Sequence, residues 1–227
     1  MTGKLIIIEA GDGCGKATQT AALYQRLKKE GFKVHQVEFP DYDSDSSALV
    51  RLYLQGAFGM HAEDVNAYAA STFFAVDRYA SFRMKWKEWY EKGDIILADR
   101  YTTSNMVHQA VKIADPAERD AFLDWLWDFE FVKLGLPVPD QVVFLDVPPA
   151  VSSRLLQQRA AGQGGVQDIH EQDALYLARC YEAYCLLAGR YGWQKIRCTE
   201  NQVMCTVEEI HERIYQSLQI STTNKCI

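Results

Sequence analysis

The segment from residue 4 to residue 18 constrains this chain more than any other. Leu5-Ile6-Ile7-Ile8 is an apolar, β-branched run of the kind that forms a buried strand. It leads through Glu9-Ala10 into Gly11-Asp12-Gly13-Cys14-Gly15, then into Lys16-Ala17-Thr18 at the head of a stretch with Leu23 and Leu27 four apart. Glycines let a backbone turn tightly and aim successive N–H groups at phosphate oxygens, and the following helix presents its positive end to the anion. The layout is that of a P-loop, with Gly11, Gly13, Cys14, Gly15, Lys16, Ala17 and Thr18 around bound phosphates and Lys16 supplying the cation.

The match to GxxxxGK[ST] is incomplete. Ala10 stands at the first glycine position, where a backbone with negative φ tolerates a small side chain. Ala17 stands where a Ser or Thr hydroxyl would meet magnesium, and alanine has no oxygen to offer. Thr18 is turned by about 100° around the helix and does not substitute for it. The metal is therefore expected to be held by other groups, water or the nucleotide.

Short β-branched runs alternate with longer amphipathic ones, the pattern of a parallel sheet covered by helices on both faces. Strands are predicted near Lys4–Glu9, Lys33–Phe39, Asp94–Ala98, Gln141–Val147 and Gln194–Cys198, giving a five-stranded α/β fold. Val207, Ile210, Ile214 and Leu218 predict a C-terminal helix. A helical region over 62–92 carries Phe73, Phe74, Tyr79, Phe82, Trp86, Trp89 and Tyr90, more aromatics than one buried stripe needs, so some are expected to line a pocket. Residues 160–167, with Gly162, Gly164 and Gly165, read as a mobile loop between helices.

The 227 residues, 48% hydrophobic and 24% charged, are enough for a single domain, read as 1–220 with a tail at 221–227. A net charge of -6 argues against binding nucleic acid, which rests on clustered basic residues. No apolar run is long enough to cross a bilayer, no signal-peptide pattern is visible, and the cysteines lack zinc-site spacing. Free thiols, a cytoplasmic location and no membrane partner are expected. Asp99-Arg100 follows the third strand and so faces the ligand crevice of an open α/β sheet, where an aspartate can organise hydrated magnesium and an arginine can clamp phosphate.

Several separated motifs together resemble thymidylate kinases, and the agreement runs from about residue 4 to 219. They are Glu9-Ala10-Gly11-Asp12-Gly13-Cys14-Gly15-Lys16, Phe39-Pro40-Asp41-Tyr42, Phe74-Ala75-Val76-Asp77-Arg78, Asp99-Arg100-Tyr101, Leu136-Pro137-Val138-Pro139-Asp140 and Leu145-Asp146-Val147. The resemblance implies a three-layer α/β/α P-loop kinase fold, a phosphotransferase that uses ATP and Mg2+ to convert thymidine monophosphate (dTMP) to the diphosphate, and a homodimer. It implies that Asp12 receives the sugar 3′-hydroxyl, that Phe74 stacks on the pyrimidine and that Arg78 meets its edge. Phe39 and Tyr42 match positions beside the acceptor phosphate, Arg100 the clamp on that phosphate, and Asn105 a polar contact to the base; Gln109 is a candidate neighbour.

Two departures from the family pattern bear on specificity. Asp41 replaces a residue that is often basic, and is expected to point away from the phosphate or to help with the metal. His108 stands where a bulky aromatic disfavours a ribose 2′-hydroxyl, and a histidine would exclude that group less completely. The segment 154–171 resembles a lid, with Arg154, Arg159, Asp168, His170 and Glu171 in it. Because the P-loop lacks its own arginine, Arg159 is the candidate for stabilising charge during transfer, alongside Lys16, Arg100 and Asp99, the last meeting the metal through water.

Two other readings fit parts of the same sequence. A deoxynucleoside kinase would need a carboxylate base, which Glu9 or Asp99 could supply. A nucleotide-binding regulator without turnover is motivated by Ala10 and Ala17.

Overall fold

A computed structural model describes residues 2–163, 169–171 and 173–220, with the backbone alone for 159–163. The expected tail at 221–227, Asp168, and the Gly164 and Gly165 positions lie outside the described residues, as does the side chain of Arg159.

The elements run β1 (Lys4–Glu9), α1 (Lys16–Lys29), β2 (Val34–Glu38), α2 (Ala48–Leu54), α3 (Ala67–Ser81), α4 (Lys87–Glu91), β3 (Ile95–Asp99), α5 (Thr102–Ala110), α6 (Pro116–Trp127), β4 (Gln141–Asp146), α7 (Pro149–Gln163), α8 (Ala174–Tyr191), β5 (Gln194–Arg197), β6 (Thr199–Glu200), β7 (Val203–Met204) and α9 (Val207–Ser217). The main sheet is wholly parallel, five-stranded and ordered β2-β3-β1-β4-β5. Its strands fall within a residue or so of those predicted. The small antiparallel β6–β7 hairpin was not predicted, because two-residue strands leave no periodicity to read.

The central strand shows why the sheet is covered on both faces. Leu5 and Ile7 enter one core with Trp86, Tyr101, Phe144 and Tyr184, whereas Ile6 and Ile8 enter the other with Leu23, Leu27, Ile210 and Ile214. Period-two alternation of a run that is apolar throughout feeds two cores at once. Fully burying each such aliphatic side chain contributes roughly 1.5–3 kcal/mol relative to leaving it exposed.

Three sequence expectations are corrected. The helical region over 62–92 is interrupted: a 3-10 turn at Ala62–Asp64 precedes α3, and a π-helical turn at Phe82–Trp86 separates α3 from α4. The segment 160–167 is not a loop from its start, since α7 continues to Gln163; Ala160 and Ala161 favour helix strongly enough to carry it across Gly162. The C-terminal helix ends at Ser217, before Leu218, and Val207 at its first turn is exposed. Cys14, Cys180, Cys185, Cys198 and Cys205 are free thiols. Among the described residues no helix is long and apolar enough to cross a membrane.

Candidate active site

The carboxyl ends of β1, β2 and β3 open onto one cavity of about 650 Å³. It is lined by the phosphate loop from Asp12 to Thr18, by Phe39, Pro40 and Tyr42 after β2, by Phe74, Asp77 and Arg78 of α3, by Asp99 and Arg100, by Asn105, His108 and Gln109 of α5, and by His170 and Glu171. That volume lies within the range of small-molecule sites.

The loop's shape depends on two glycines. Gly13 has φ of 71°, and a Cβ there would lie 2.7 Å from the Leu156 side chain; Gly15 has φ of 84° and caps α1 without any side-chain hydrogen bond. The N–H groups of the first helical turn have no intrahelical partner and are directed towards the loop, where an anion can meet them. Lys16 is buried and donates to the carbonyls of Ala10 (3.0 Å) and Gly11 (2.9 Å). Its ammonium is depressed by burial and by Arg100, against the pull of Asp12 and Asp99. Ala10 is fully buried and is not among the residues with positive φ. Ala17 and Thr18 line the cavity and are exposed.

Arg100 has a left-handed φ of 66°, an uncommon conformation for a residue with a side chain, held by the hydrogen bond from its N–H to the carbonyl of Ile8 (3.1 Å). Its guanidinium is paired with Asp12 and donates to Ser104 Oγ (3.1 Å) and Tyr184 Oη (3.4 Å). Burial would raise the Asp12 carboxyl, but Arg100 and then Lys16 outweigh it and hold it well below the usual carboxylate range. Glu9 sits beneath, fully buried, accepting from Thr103, Ser104 and Tyr184. Burial raises its carboxyl despite Arg100 and those hydroxyls.

The far wall is built by α3 and α5. Phe74 is half-buried, with the Tyr53 ring perpendicular to it at 6.1 Å. Arg78, four residues on and so on the same helix face, is 2% exposed. It does not hang free as a solvated charge: its Nε and Nη2 donate to Glu130 at 2.7 and 2.5 Å. Asn105 Nδ2 donates to Ser71 O (3.2 Å) and Glu130 Oε1 (3.3 Å). Gln109 is fully buried, lines the cavity, and among the described residues has no hydrogen-bond partner for either amide atom. Phe39 is buried against Tyr101 at 5.8 Å, and Tyr42 stands half-exposed at the rim.

Asp41 points away from the cradle, its Oδ2 held by Lys85 Nζ at 2.5 Å. His108 and His170 stack with ring centroids 5.5 Å apart. Burial lowers His108 well below the usual imidazole value and His170 to about 4. Tyr53 Oη lies 2.9 Å from His170 Nε2 and also accepts from Lys112, while Ile169 N–H bonds to Leu54 O, so residues 169–171 are docked onto α2. Arg154, expected in the lid, donates instead to the carbonyl of Gln202 in the β6–β7 turn. Glu38 and Asp99 face each other in register at the ends of β2 and β3, and Glu38 is raised by burial and then by repulsion from Asp99, Asp41 and Asp43.

Sequence reasoning missed Glu130 and Tyr184 and gave Gln109 only as a candidate neighbour. The signal for Glu130 was an acid between two phenylalanines, Phe129-Glu130-Phe131, which is costly unless it is paired.

A family model described as thymidylate kinase matches residues 8–212. The chain is 34% identical over 196 residues to a thymidylate kinase of Mycobacterium tuberculosis, covering 83% of this chain and 87% of that one. It is 25% identical over 214 residues to a thymidylate kinase of Arabidopsis thaliana, covering 94% and 70%. Among solved structures, the thymidylate kinase of Candida albicans superposes with a TM-score of 0.65 over 95% of this chain and 90% of that one, at 18% identity, which is a likeness of fold.

Proposed function

The chain belongs to the thymidylate kinase family, whose reaction is phosphorylation of dTMP by ATP, and we propose that the cavity between the phosphate loop and α5 is where this chain carries it out. The observation that carries the assignment is that one cavity joins a phosphate cradle around Lys16 to a buried polar wall of Arg78, Asn105 and Gln109. A cradle alone would bind any nucleotide; the second wall gives the acceptor base something to read.

Lys16 exchanges the two loop carbonyls for donor phosphate oxygens, and the N–H groups of residues 13–18 complete the cradle. Arg100 orients the acceptor phosphate while Phe39 and Tyr42 close its other sides, Asp12 receives the sugar 3′-hydroxyl, and Phe74 stacks on the base. An acceptor phosphate oxygen attacks the γ-phosphorus, the bond to the β,γ-bridging oxygen breaks, and ADP leaves; no covalent enzyme intermediate is required. Residues 169–171 cover the acceptor and exclude water, as part of a lid spanning about 154–171 on a single 1–220 domain. Arg159 is assigned the stabilisation of charge from the lid side.

Mg2+ favours oxygen donors and retained water. Asp99 and Glu38 fit it: both line the cavity at the facing ends of β2 and β3, and Asp99 adds to the burial that raises Glu38 a repulsion that a cation would relieve. These two would hold the ion through water, and once bound it would neutralise charge on the β- and γ-phosphates. Among the described residues no cluster of three or more His, Cys, Asp or Glu forms a direct metal cage.

A homodimer is supported by the exposed apolar side chains Tyr68, Val76 and Tyr79 on α3, and sedimentation would read it directly. Free thiols favour a reducing, cytoplasmic setting.

The decisive assay is a panel of nucleoside monophosphates, plus thymidine, with ATP and Mg2+ and coupled detection of ADP. dTMP is expected to give the highest kcat/KM and thymidine no turnover. Exclusive use of thymidine, or nucleotide binding with no ADP at any Mg2+ concentration, overturns the reading.

A further inference from the structure

Glu130 lies in the π-helical turn Asp128–Lys133 that follows α6, is fully buried, and does not line the cavity. Its carboxylate accepts from four groups. Oε2 takes Arg78 Nε (2.7 Å) and Thr102 Oγ1 (2.7 Å); Oε1 takes Arg78 Nη2 (2.5 Å) and Asn105 Nδ2 (3.3 Å). Four donors match the capacity of an ionised carboxylate. A buried ion pair is weak support for stability as such, because an apolar replacement of similar volume often serves as well. The partners are more telling: Arg78 and Asn105 come from different helices and both line the cavity.

The polarity of both side chains follows from this one carboxylate. With Nε and one edge of Nη2 turned to Glu130, the planar guanidinium has its remaining N–H groups directed away from it. Asn105 Nδ2 has two acceptors, Ser71 O and Glu130 Oε1, so the amide is oriented nitrogen inward, and Oδ1 is the atom left for a ligand. The wall thus offers a donor from Arg78 and an acceptor from Asn105.

We propose that Glu130 is a positioning residue that fixes the donor and acceptor polarity with which Arg78 and Asn105 meet the acceptor base, and so sets selection for a base carrying a carbonyl beside a ring N–H. This rests on the reading of Arg78 and Asn105 as base contacts given above. Thymine presents that edge, its carbonyl oxygen to Arg78 and its N–H to Asn105. Cytosine presents an amino group and a bare ring nitrogen, which sets donor against donor and acceptor against acceptor. Changing Glu130 to glutamine puts an amide N–H2 among these donors; at the Oε1 position it would face Arg78 Nη2 and Asn105 Nδ2 donor to donor, so both side chains lose a contact that orients them towards the ligand.

The test uses the full chain with ATP and Mg2+, initial rates on dTMP and dCMP, and calorimetric titration of each monophosphate without ATP. For Glu130→Gln the KM for dTMP is expected to rise about ten-fold or more with kcat within about three-fold, and the dTMP:dCMP ratio of kcat/KM to fall about ten-fold or more. A folded variant whose ratio matches the wild type overturns the proposal even if its melting temperature drops, because a purely structural role moves stability and not selectivity. Should Glu130→Gln fail to fold, Thr102→Val decides: it removes one donor from Oε2 at nearly constant volume and is expected to lower the ratio about three-fold, and an unchanged ratio overturns the proposal. Failure of the wild type to phosphorylate dTMP would sink the assignment of the reaction itself; an active wild type with an unmoved ratio in the variants sinks only the role of Glu130.

Discussion

Arg100 and Asp12 are paired across the gap between the end of β3 and the phosphate loop, so the group assigned to the acceptor phosphate is already engaged by the group assigned to the acceptor sugar. A substrate that offers phosphate to one and a hydroxyl to the other exchanges a protein ion pair for two contacts of its own. Arg100→Ala is expected to lower kcat by about 10²–10³-fold, the scale of losing one preorganised charge-stabilising donor. Arg100→Lys should recover little of it, since an ammonium lacks the planar fork. Steady-state rates on dTMP check both.

The same pair has an acid-side consequence. The folded Asp12 carboxyl lies below its ordinary value, so its contribution to stability is present above the unfolded value near pH 4 and is lost as pH falls through the folded value. Asp12→Asn is expected to flatten the loss of stability below about pH 4, read from denaturant midpoints. If wild type and variant lose stability in parallel there, the ion pair does not carry the effect.

His170 and His108 extend pH dependence to a higher window. Both are buried with depressed basicity, so the unfolded chain takes up protons that the folded chain refuses. For His170, stability is full above the ordinary imidazole value near 6.5 and declines as pH falls towards about 4, with a slope of up to about 1.4 kcal/mol per pH unit. His170→Phe keeps a ring against Tyr53 and Tyr176 and should make the decline between pH 6.5 and 4 shallower. Equal slopes would place the titration elsewhere.

Ala17 leaves magnesium without the usual hydroxyl, and the carboxylates at the ends of β2 and β3 are assigned its place. Asp99→Asn is expected to raise the Mg2+ concentration needed for half-maximal rate by about ten-fold or more, whereas Ala17→Ser should shift it by less than about three-fold. A large gain in Mg2+ affinity with Ala17→Ser would show that the native site lacks an effective substitute.

What the sequence made legible was whatever local pattern encodes. β1 and the glycine turn are contiguous, so Leu5 to Lys16 could be read directly, and the five strands announced themselves as β-branched runs. Arg78 illustrates the limit. Its spacing from Phe74 placed both on one helix face, but its partner is 52 residues away on a π-turn, and no local pattern encodes that pairing. The same holds for Asp41, whose clash with an acceptor phosphate could be foreseen but whose removal by Lys85 depends on how α3 runs on into the π-turn. Arg154 fell in the segment that resembles a lid; the two-residue strands of the hairpin that takes its hydrogen bond leave no local pattern to read.

Gln109 gives the sharpest separation of stability from function. Its amide is fully buried, with neither donor nor acceptor matched among the described residues, and leaving such a group unsatisfied costs roughly 1–3 kcal/mol. It lines the cavity beside Asn105 and His108, where the edge of a bound base can satisfy both atoms at once. Gln109→Met, nearly equal in volume and without those polar atoms, is expected to raise the melting temperature of the protein without nucleotide while raising the KM for dTMP about ten-fold or more. The KM for ATP should stay put, because the phosphate loop lies on the other wall. A variant that is less stable than wild type would mean the amide is satisfied within the protein, and an unchanged KM for dTMP would remove Gln109 from the base contacts.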